Sequence, residues 1–141
     1  MNKVVVYHVY RQVGGRDDAK STRDIKRALE RALKYLKKKG SLLEVYLING
    51  REMRFLNKEF RGKDKSTNVL SFGEPKKFPH PETDFDYLGE IYLDPKYIKN
   101  KKEDPTFLAV HGLLHLLGYT HKRRRDTMKM QKYEQKLLGN V

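Results

Sequence analysis

Three histidines lie within the eleven-residue segment HGLLHLLGYTH, which spans residues 111–121. On a helix, His111 and His115 are one turn apart, so their rings project from the same face and one metal ion can bridge them. Gly118 favours a left-handed helix end, after which the chain turns and His121 can approach from another direction. Three nitrogen ligands leave the fourth tetrahedral position open for water, which is the arrangement of a catalytic zinc site.

A single His-x-x-x-His pair is more often an ordinary pair of core or surface residues, but the glycine and the third histidine favour a metal site. The chain has no cysteine, so any metal is held by nitrogen and oxygen ligands. We expect one zinc ion per chain. Nickel, copper and iron also accept imidazole ligands, and histidine ligation alone does not separate them from zinc.

The histidine spacing is also that of the metzincin proteases, which place a glutamate directly after the first histidine as the general base. Here that position is Gly112. The pattern therefore predicts hydrolytic chemistry at a metal but does not support the protease mechanism for peptide bonds.

Hydrophobic periodicity and capping residues predict the elements that hold the histidines. We expect strands over 3–9, 43–48, 68–73 and 88–93, and helices over 23–38, 50–60, 105–117 and 126–138. Thr22 is the expected cap of the first helix, Asp104 and Pro105 begin the third, and Gly118 ends it. This order predicts an α+β fold in which a mixed four-stranded sheet is packed with helices, in one domain over residues 1–141.

The net charge is +13, from 31 Lys and Arg against 18 Asp and Glu, which predicts attraction to polyanions and favours contact with a nucleic acid. A basic run follows His121 at once and could guide phosphates toward a metal there, although charge runs are usually solvated faces. The run consists of Lys122, Arg123, Arg124 and Arg125.

No segment has the length and hydropathy of a membrane span, and the opening residues read as a strand and not as a secretion signal. We therefore expect a cytoplasmic protein that does not bind membranes.

In the histidine segment 111–121 and in three further blocks, the sequence resembles the YbeY family of bacterial endoribonucleases. Residues 111–121 match the family signature HGxLHLxGYDH at every specified position but one. LNKEFRGKDKSTNVLSF (56–72) resembles LNxxYRxxDxxTDVLSF, and LGEIYL (88–93) resembles LGDIxI. The C-terminal MQKYEQKLL (130–138) is similar to the family's ending, so the blocks follow the family order.

The resemblance implies a zinc-hydrolase-like fold and a zinc-dependent endonuclease for single-stranded RNA. It further implies roles in small-subunit ribosomal RNA processing and ribosome quality control, with ribosome-associated proteins as possible partners. By position, the metal ligands are His111, His115 and His121. Arg61 matches the family arginine near the metal, where a guanidinium can clamp a phosphate and stabilise developing charge.

Two positions depart from the family pattern, since Thr120 and Asn68 stand where aspartates are usual. Loss of the aspartate before the third histidine would remove a hydrogen bond that orients a ligand. No general base is evident, and Glu90 and Asp94 are candidates only because they lie near a motif. An assembly factor that binds RNA or ribosomes around a structural zinc is therefore an open alternative, and a metallopeptidase is a weaker one.

Overall fold

The β-branched and aromatic runs of the sequence pair into one mixed sheet in the computed structural model, which describes residues 1–9, 16–73 and 85–119, together with helical residues 131, 132 and 135. In chain order the elements are β1 (Lys3–His8), α1 (Arg16–Tyr35), β2 (Ser41–Leu47), α2 (Gly50–Arg61), β3 (Val69–Gly73), β4 (Asp86–Leu93), α3 (Pro95–Asn100) and α4 (Pro105–Leu116).

The strand order in the sheet is β1-β2-β4-β3. β1 pairs parallel with β2, and β2 pairs parallel with β4. The parallel pair β1–β2 requires a crossover, which α1 supplies. β3 pairs antiparallel with β4 and forms one edge of the sheet among the described residues.

Alternation along the strands gives the sheet two different faces. One face carries Val45 and Ile91 and is covered by α1 and α4, whose buried residues join them in the main core. We call it the α4 face. The opposite face carries Tyr46 and Tyr92, which pack with Met53 of α2 in a second, smaller cluster. We call this the tyrosine face.

The helix expected over 23–38 begins earlier and ends sooner than the sequence predicts. α1 starts at Arg16, so the interpretation of Thr22 as its cap is wrong. The Thr22 hydroxyl lies 2.9 Å from the Nε2 atom of His8. The first turns of α1 are polar or charged apart from Ala19, so no hydrophobic pattern marks them in the sequence. At the other end α1 stops at Tyr35, and Lys37 then takes the left-handed conformation at φ 60°.

The helix α3 was not predicted, although Asp94 and Pro95 carry the same start signal as Asp104 and Pro105. The Asp94 carboxylate accepts the backbone N–H of Tyr97, which caps α3. α3 has six residues and a single buried side chain, Ile98, so it shows no helical periodicity.

The predicted fold class is confirmed: the described residues form an α+β structure with a mixed four-stranded sheet. The helix expected over 126–138 lies outside the described residues except for 131, 132 and 135. The assignment of the whole span 1–141 to this one domain stays a prediction. No helix in the described segments is both long and apolar enough to cross a bilayer.

Gly89 marks the point where β4 passes closest to its neighbours. The register shifts between Leu42 and Leu43, so that Leu88 is an extra residue in β4, and Gly89 has φ 138°. A Cβ at Gly89 would lie 2.3 Å from the carbonyl oxygen of Phe72. Only glycine fits this position, because both the backbone angle and the available space exclude a side chain.

We expect Gly89→Ala to lower the free energy of unfolding by about 2 kcal/mol or more, because it combines a steric overlap with backbone strain. Its partner in the register, Gly73, is the matched control, since its added Cβ would meet nothing closer than 3.7 Å. Gly73→Ala should stay within about 0.5 kcal/mol of the wild type. Urea unfolding curves measure the free energy of unfolding of both variants. Equal losses of stability in the two would contradict the special requirement for glycine at position 89.

Candidate metal centre

The helix α4 carries the histidine pair on an otherwise apolar sequence. The Asp104 carboxylate accepts the Thr106 N–H at 2.9 Å, and Pro105 occupies the first turn, so the predicted start is confirmed. Gly118 has φ 96° just beyond the end of α4, which places the turn where the sequence predicts it. α4 is fixed by burial of six residues, which are Leu108, Ala109, Val110, Gly112, Leu113 and Leu114.

His111 and His115 lie together on one side of α4, as their spacing predicts. Their Nε2 atoms are 2.9 Å apart, and their ring centroids are 4.5 Å apart with planes at 72°. Both side chains are half-buried. The exposed ring of Phe107, one turn earlier, stacks on His111 at 6.3 Å between centroids. The histidine pair therefore opens at the surface beside an aromatic side chain.

The histidine geometry fits a metal ion. Both rings present Nε2 toward the same point, which is what two imidazole ligands of one ion require. Two nitrogens bound to zinc at about 2.0–2.1 Å in a tetrahedron are about 3.3 Å apart. The 2.9 Å between these nitrogens is slightly shorter, so a small rotation of one ring gives the ligand separation.

The third proposed ligand, His121, lies outside the described residues, as do Thr120 and the basic run Lys122, Arg123, Arg124 and Arg125. Within the described segments, no group of three or more potential ligands lies together. The structure thus brings together two of the three histidines named from the sequence, and the complete triad stays a prediction.

Gly112 lies on the side of α4 that faces the sheet. A Cβ at this position would lie 3.2 Å from the Cγ2 atom of Ile91, which is fully buried in β4. The absence of the protease glutamate therefore has a structural reason. In this fold the residue after the first histidine is the contact through which α4 approaches the sheet, and a carboxylate there would be buried among apolar atoms.

Arg61 is the last residue of α2 and is exposed. α2 packs on the tyrosine face through Met53, whereas the histidines belong to α4 on the opposite face. Within the described part of the chain, the Arg61 guanidinium forms no hydrogen bond or ion pair with another residue. The structure therefore leaves the Arg61 guanidinium available to a ligand but does not place it in contact with the histidines.

The backbone around Arg61 is held firmly by its neighbours. Gly62, at φ 70°, caps α2, and its N–H donates to the carbonyl oxygen of Lys58. The buried Asn57 side chain donates to the Lys65 carbonyl oxygen at 2.8 Å. Asn57 was not singled out in the sequence, although it occupies a specified position in the 56–72 block. These bonds fix the path of the chain on both sides of Arg61.

An ion pair ties the same loop back onto α2. Arg54 donates to both carboxylate oxygens of Asp64, at 2.7 and 3.2 Å. The hydrogen bond from Arg54 lowers the pKa of Asp64, and the charge of Arg54 adds to this effect. Both side chains are more than half exposed, so the pair orients the loop more than it stabilises the fold.

Asn68, one of the two departures from the family pattern, links β3 to the turn before α4. Its amide oxygen accepts the N–H of Val69 at 2.7 Å, and its amide nitrogen donates to the Glu103 carboxylate at 3.2 Å. An aspartate at this position would put two carboxylates in contact. The asparagine therefore suits the presence of Glu103 in this chain.

Neither carboxylate considered as a general base contacts the histidines. Asp94 is buried and accepts from the Ser66 hydroxyl at 2.9 Å and from the Tyr97 N–H. Glu90 lies on the tyrosine face, because its neighbour Ile91 faces α4. Both carboxylates are thus held in contacts that stabilise the fold, away from the histidine pair.

Together, these features define an α+β protein in which a helix on a mixed sheet presents a His-x-x-x-His pair at the surface. The profile of the family described as Endoribonuclease YbeY matches residues 11–141. The chain belongs to the YbeY endoribonuclease family, as the sequence motifs predict.

Several proteins named Endoribonuclease YbeY are similar to this chain. The protein from Ruthia magnifica is 33% identical over 126 residues, which cover 84% of this chain and 85% of the relative. The protein from Buchnera aphidicola is 35% identical over 112 residues, which cover 74% of this chain and 69% of the relative. The protein from Thermodesulfovibrio yellowstonii is 36% identical over 109 residues, which cover 71% of this chain and 67% of the relative.

The fold also resembles the solution structure of TM1509 from Thermotoga maritima. The TM-score is 0.57 with 24% sequence identity, and the match covers 99% of this chain and 91% of that one. This likeness supports the fold.

We expect Gly112→Glu to lower the free energy of unfolding by about 3 kcal/mol or more, because an unpaired carboxylate would be buried against Ile91. Gly112→Ala is the control for side-chain size. It should change the free energy of unfolding by no more than about 1 kcal/mol, because the higher helix propensity of alanine offsets the close contact of its Cβ with Ile91 at 3.2 Å. Thermal unfolding measures the stability of the two variants, and hydrolysis of casein measures their peptidase activity. A stable Gly112→Glu protein that cleaves casein would contradict this assignment.

We expect Asn68→Asp to destabilise the protein by about 0.5–1 kcal/mol at pH 7, because the new carboxylate faces that of Glu103. Combining it with Glu103→Gln should restore most of the loss, since a neutral amide removes the repulsion. A double-mutant cycle by urea unfolding tests the coupling. Additive effects of the two substitutions would show that the side chains do not interact.

Proposed function

We propose that this protein is a zinc-dependent endoribonuclease that cuts single-stranded RNA. The observation that carries this proposal is the convergence of the His111 and His115 Nε2 atoms, 2.9 Å apart at the surface of α4, in a member of the YbeY family. The relatives' name, Endoribonuclease YbeY, supports RNA as the substrate. The net charge of +13 supports binding of a polyanion.

In this proposal His111, His115 and His121 hold one zinc ion per chain. When bound, zinc lowers the pKa of a coordinated water and polarises a phosphoryl oxygen. α4 contributes rigidity, because the helix around the two histidines is buried and capped, so the rings are held ready for the ion.

The cationic residues of the chain orient the RNA. Arg61 takes the role of phosphate clamp, for which its exposure and its fixed backbone suit it. The run Lys122, Arg123, Arg124 and Arg125 guides the RNA backbone toward His121. No side chain among the described residues is placed as a general base, so the nucleophile is either water or the RNA 2′-hydroxyl. The two routes leave different ends, since attack by the 2′-hydroxyl gives a cyclic phosphate.

The biological substrate in this proposal is the ribosomal RNA of the small subunit, in its maturation and in ribosome quality control. The site of action is then the cytoplasm, where ribosome-associated proteins are further partners. A non-catalytic assembly factor would share the same charge and RNA affinity. Cleavage itself therefore has to be measured.

The test compares cleavage of a labelled single-stranded RNA by the wild type, His115→Ala and Arg61→Ala, with metal content measured by mass spectrometry. We expect one metal per wild-type chain, and loss of both metal and cleavage in His115→Ala. Arg61→Ala should keep the metal and lose about 100-fold or more in rate, which is typical for removal of a group that stabilises transition-state charge. Arg51→Ala, an exposed arginine in the first turn of the same helix, is the matched control and should cleave normally.

The alternative function predicts a different result. If the wild type holds the metal and binds RNA but does not cut it, the protein is an assembly factor with a structural zinc. If Arg61→Ala and Arg51→Ala both cut at the wild-type rate, Arg61 is not the phosphate clamp.

A further inference from the structure

The tyrosine face carries a row of aromatic rings that runs across the sheet. Tyr7, Tyr46 and Tyr92 are register partners on β1, β2 and β4. Their rings stack with centroids 5.0 and 4.9 Å apart and planes at 19° and 14°. Phe72 of β3 meets Tyr92 edge-on at 5.7 Å, and Phe60 of α2 continues the row at 5.1 Å from Phe72. The two ends are exposed, Tyr7 to 41% and Phe60 to 65%.

Two carboxylates lie beside this row. Glu44 and Glu90 are directly opposite each other in the parallel pair β2–β4. Like charges in this position destabilise a sheet. The two carboxylates are stabilised by tyrosine hydroxyls: Tyr46 donates to Glu44 at 3.1 Å and Tyr92 to Glu90 at 2.6 Å, while Tyr87 lies 2.6 Å from Glu44 and 3.3 Å from Glu90.

These hydroxyls keep their protons at neutral pH. Burial raises the pKa of Tyr46 to about 12, and the charge of Glu44 adds to the shift. Burial also raises the pKa of Tyr87 and Tyr92, and their hydrogen bonds to the glutamates add to it. The Tyr46 and Tyr92 hydroxyls, which donate to the glutamates, keep lone pairs that can accept a hydrogen bond from a ligand.

Within the described residues no Lys or Arg forms an ion pair with these carboxylates, and the ion pair found there joins Arg54 to Asp64. The whole chain carries 31 Lys and Arg against 18 Asp and Glu. The surface therefore combines aromatic rings, hydrogen-bond acceptors and two negative charges on a strongly basic protein.

We propose that the tyrosine face is a docking surface for an arginine-bearing segment of a protein partner. A guanidinium satisfies all three features, because it forms ion pairs with carboxylates, donates to several acceptors at once and stacks on an aromatic face. The exposed ring of Tyr7, at the β1 edge of the sheet, provides such a face.

RNA fits this surface less well. The faces of Tyr46 are already covered by Tyr7 and Tyr92, so bases cannot stack along the row as they do on open aromatic platforms. The carboxylates of Glu44 and Glu90 would also repel phosphates. Since the face lies on the opposite side of the sheet from α4, a peptide there does not compete with the histidine pair.

The probe is a fluorescein-labelled peptide of about eight residues with alternating arginine and glycine, long enough to cross strands spaced about 4.8 Å apart. Its binding to the full chain is measured by fluorescence anisotropy at an ionic strength of about 0.15 M, where a Debye length of about 8 Å screens the remote positive charges. The reference peptide carries glutamine in place of arginine, and a labelled oligouridylate is the RNA probe.

We expect the arginine peptide to bind the wild type and the glutamine peptide not to bind. The double variant Glu44→Gln/Glu90→Gln keeps acceptors for the tyrosine hydroxyls and should weaken binding about tenfold, because two ion pairs are lost. Tyr7→Ala should weaken binding about threefold. Tyr35→Ala is the matched control, since Tyr35 is 40% exposed at the end of α1, and it should bind like the wild type.

Circular dichroism of each variant checks folding, and Tyr7→Ala alone carries the test if the double variant does not fold. Absence of arginine-peptide binding to the wild type would overturn the proposal. So would equal binding by all variants, which would place the peptide elsewhere. Loss of oligouridylate affinity in Tyr7→Ala, with no peptide binding, would assign the face to RNA instead. RNA cleavage that persists in Tyr7→Ala would show that the proposed nuclease function does not depend on this face.

Discussion

The close approach of α4 to the sheet is the constraint on which the rest of the structure depends. Gly112 lets the helix meet Ile91 without a side chain between them. The Leu116 side chain lies near the positions that a Cβ would take at Gly73 and Gly89. These glycines leave out side chains both on the helix, at Gly112, and on the sheet, at Gly73 and Gly89. α4 therefore packs into the main core along most of its length. A helix held this way presents its histidines in one fixed orientation.

The same packing explains why a protease-like histidine spacing occurs without the protease base. A helix that lies on a sheet has only part of its circumference open to solvent. In α4 that part carries Phe107, His111 and His115, whereas position 112 faces the sheet. Hydrolysis at such a site has to rely on the metal and on groups from elsewhere in the chain.

The motif over residues 56–72 combines one candidate functional residue with several that hold its backbone. Asn57, Gly62 and Asp64 each form a bond that closes or anchors the loop after α2. Ser66 reaches the buried carboxylate of Asp94, which in turn caps α3. A sequence motif of this kind therefore records loop geometry as much as chemistry, and Arg61 is one of its exposed residues.

Much of the fold and the pairing of two of the three candidate metal ligands could be predicted from the sequence. Local rules were sufficient for the fold class, for the start of α4 at Asp104 and Pro105, and for the pairing of His111 with His115, because capping and helical spacing depend on neighbouring residues. The early start of α1 and the short helix α3 were missed, since neither brings an apolar stripe that periodicity can detect. The tertiary structure alone decided that Gly112 is the point where α4 meets Ile91 of the sheet. It also decided that Glu44 and Glu90 meet, because strand order and register join residues distant in the chain.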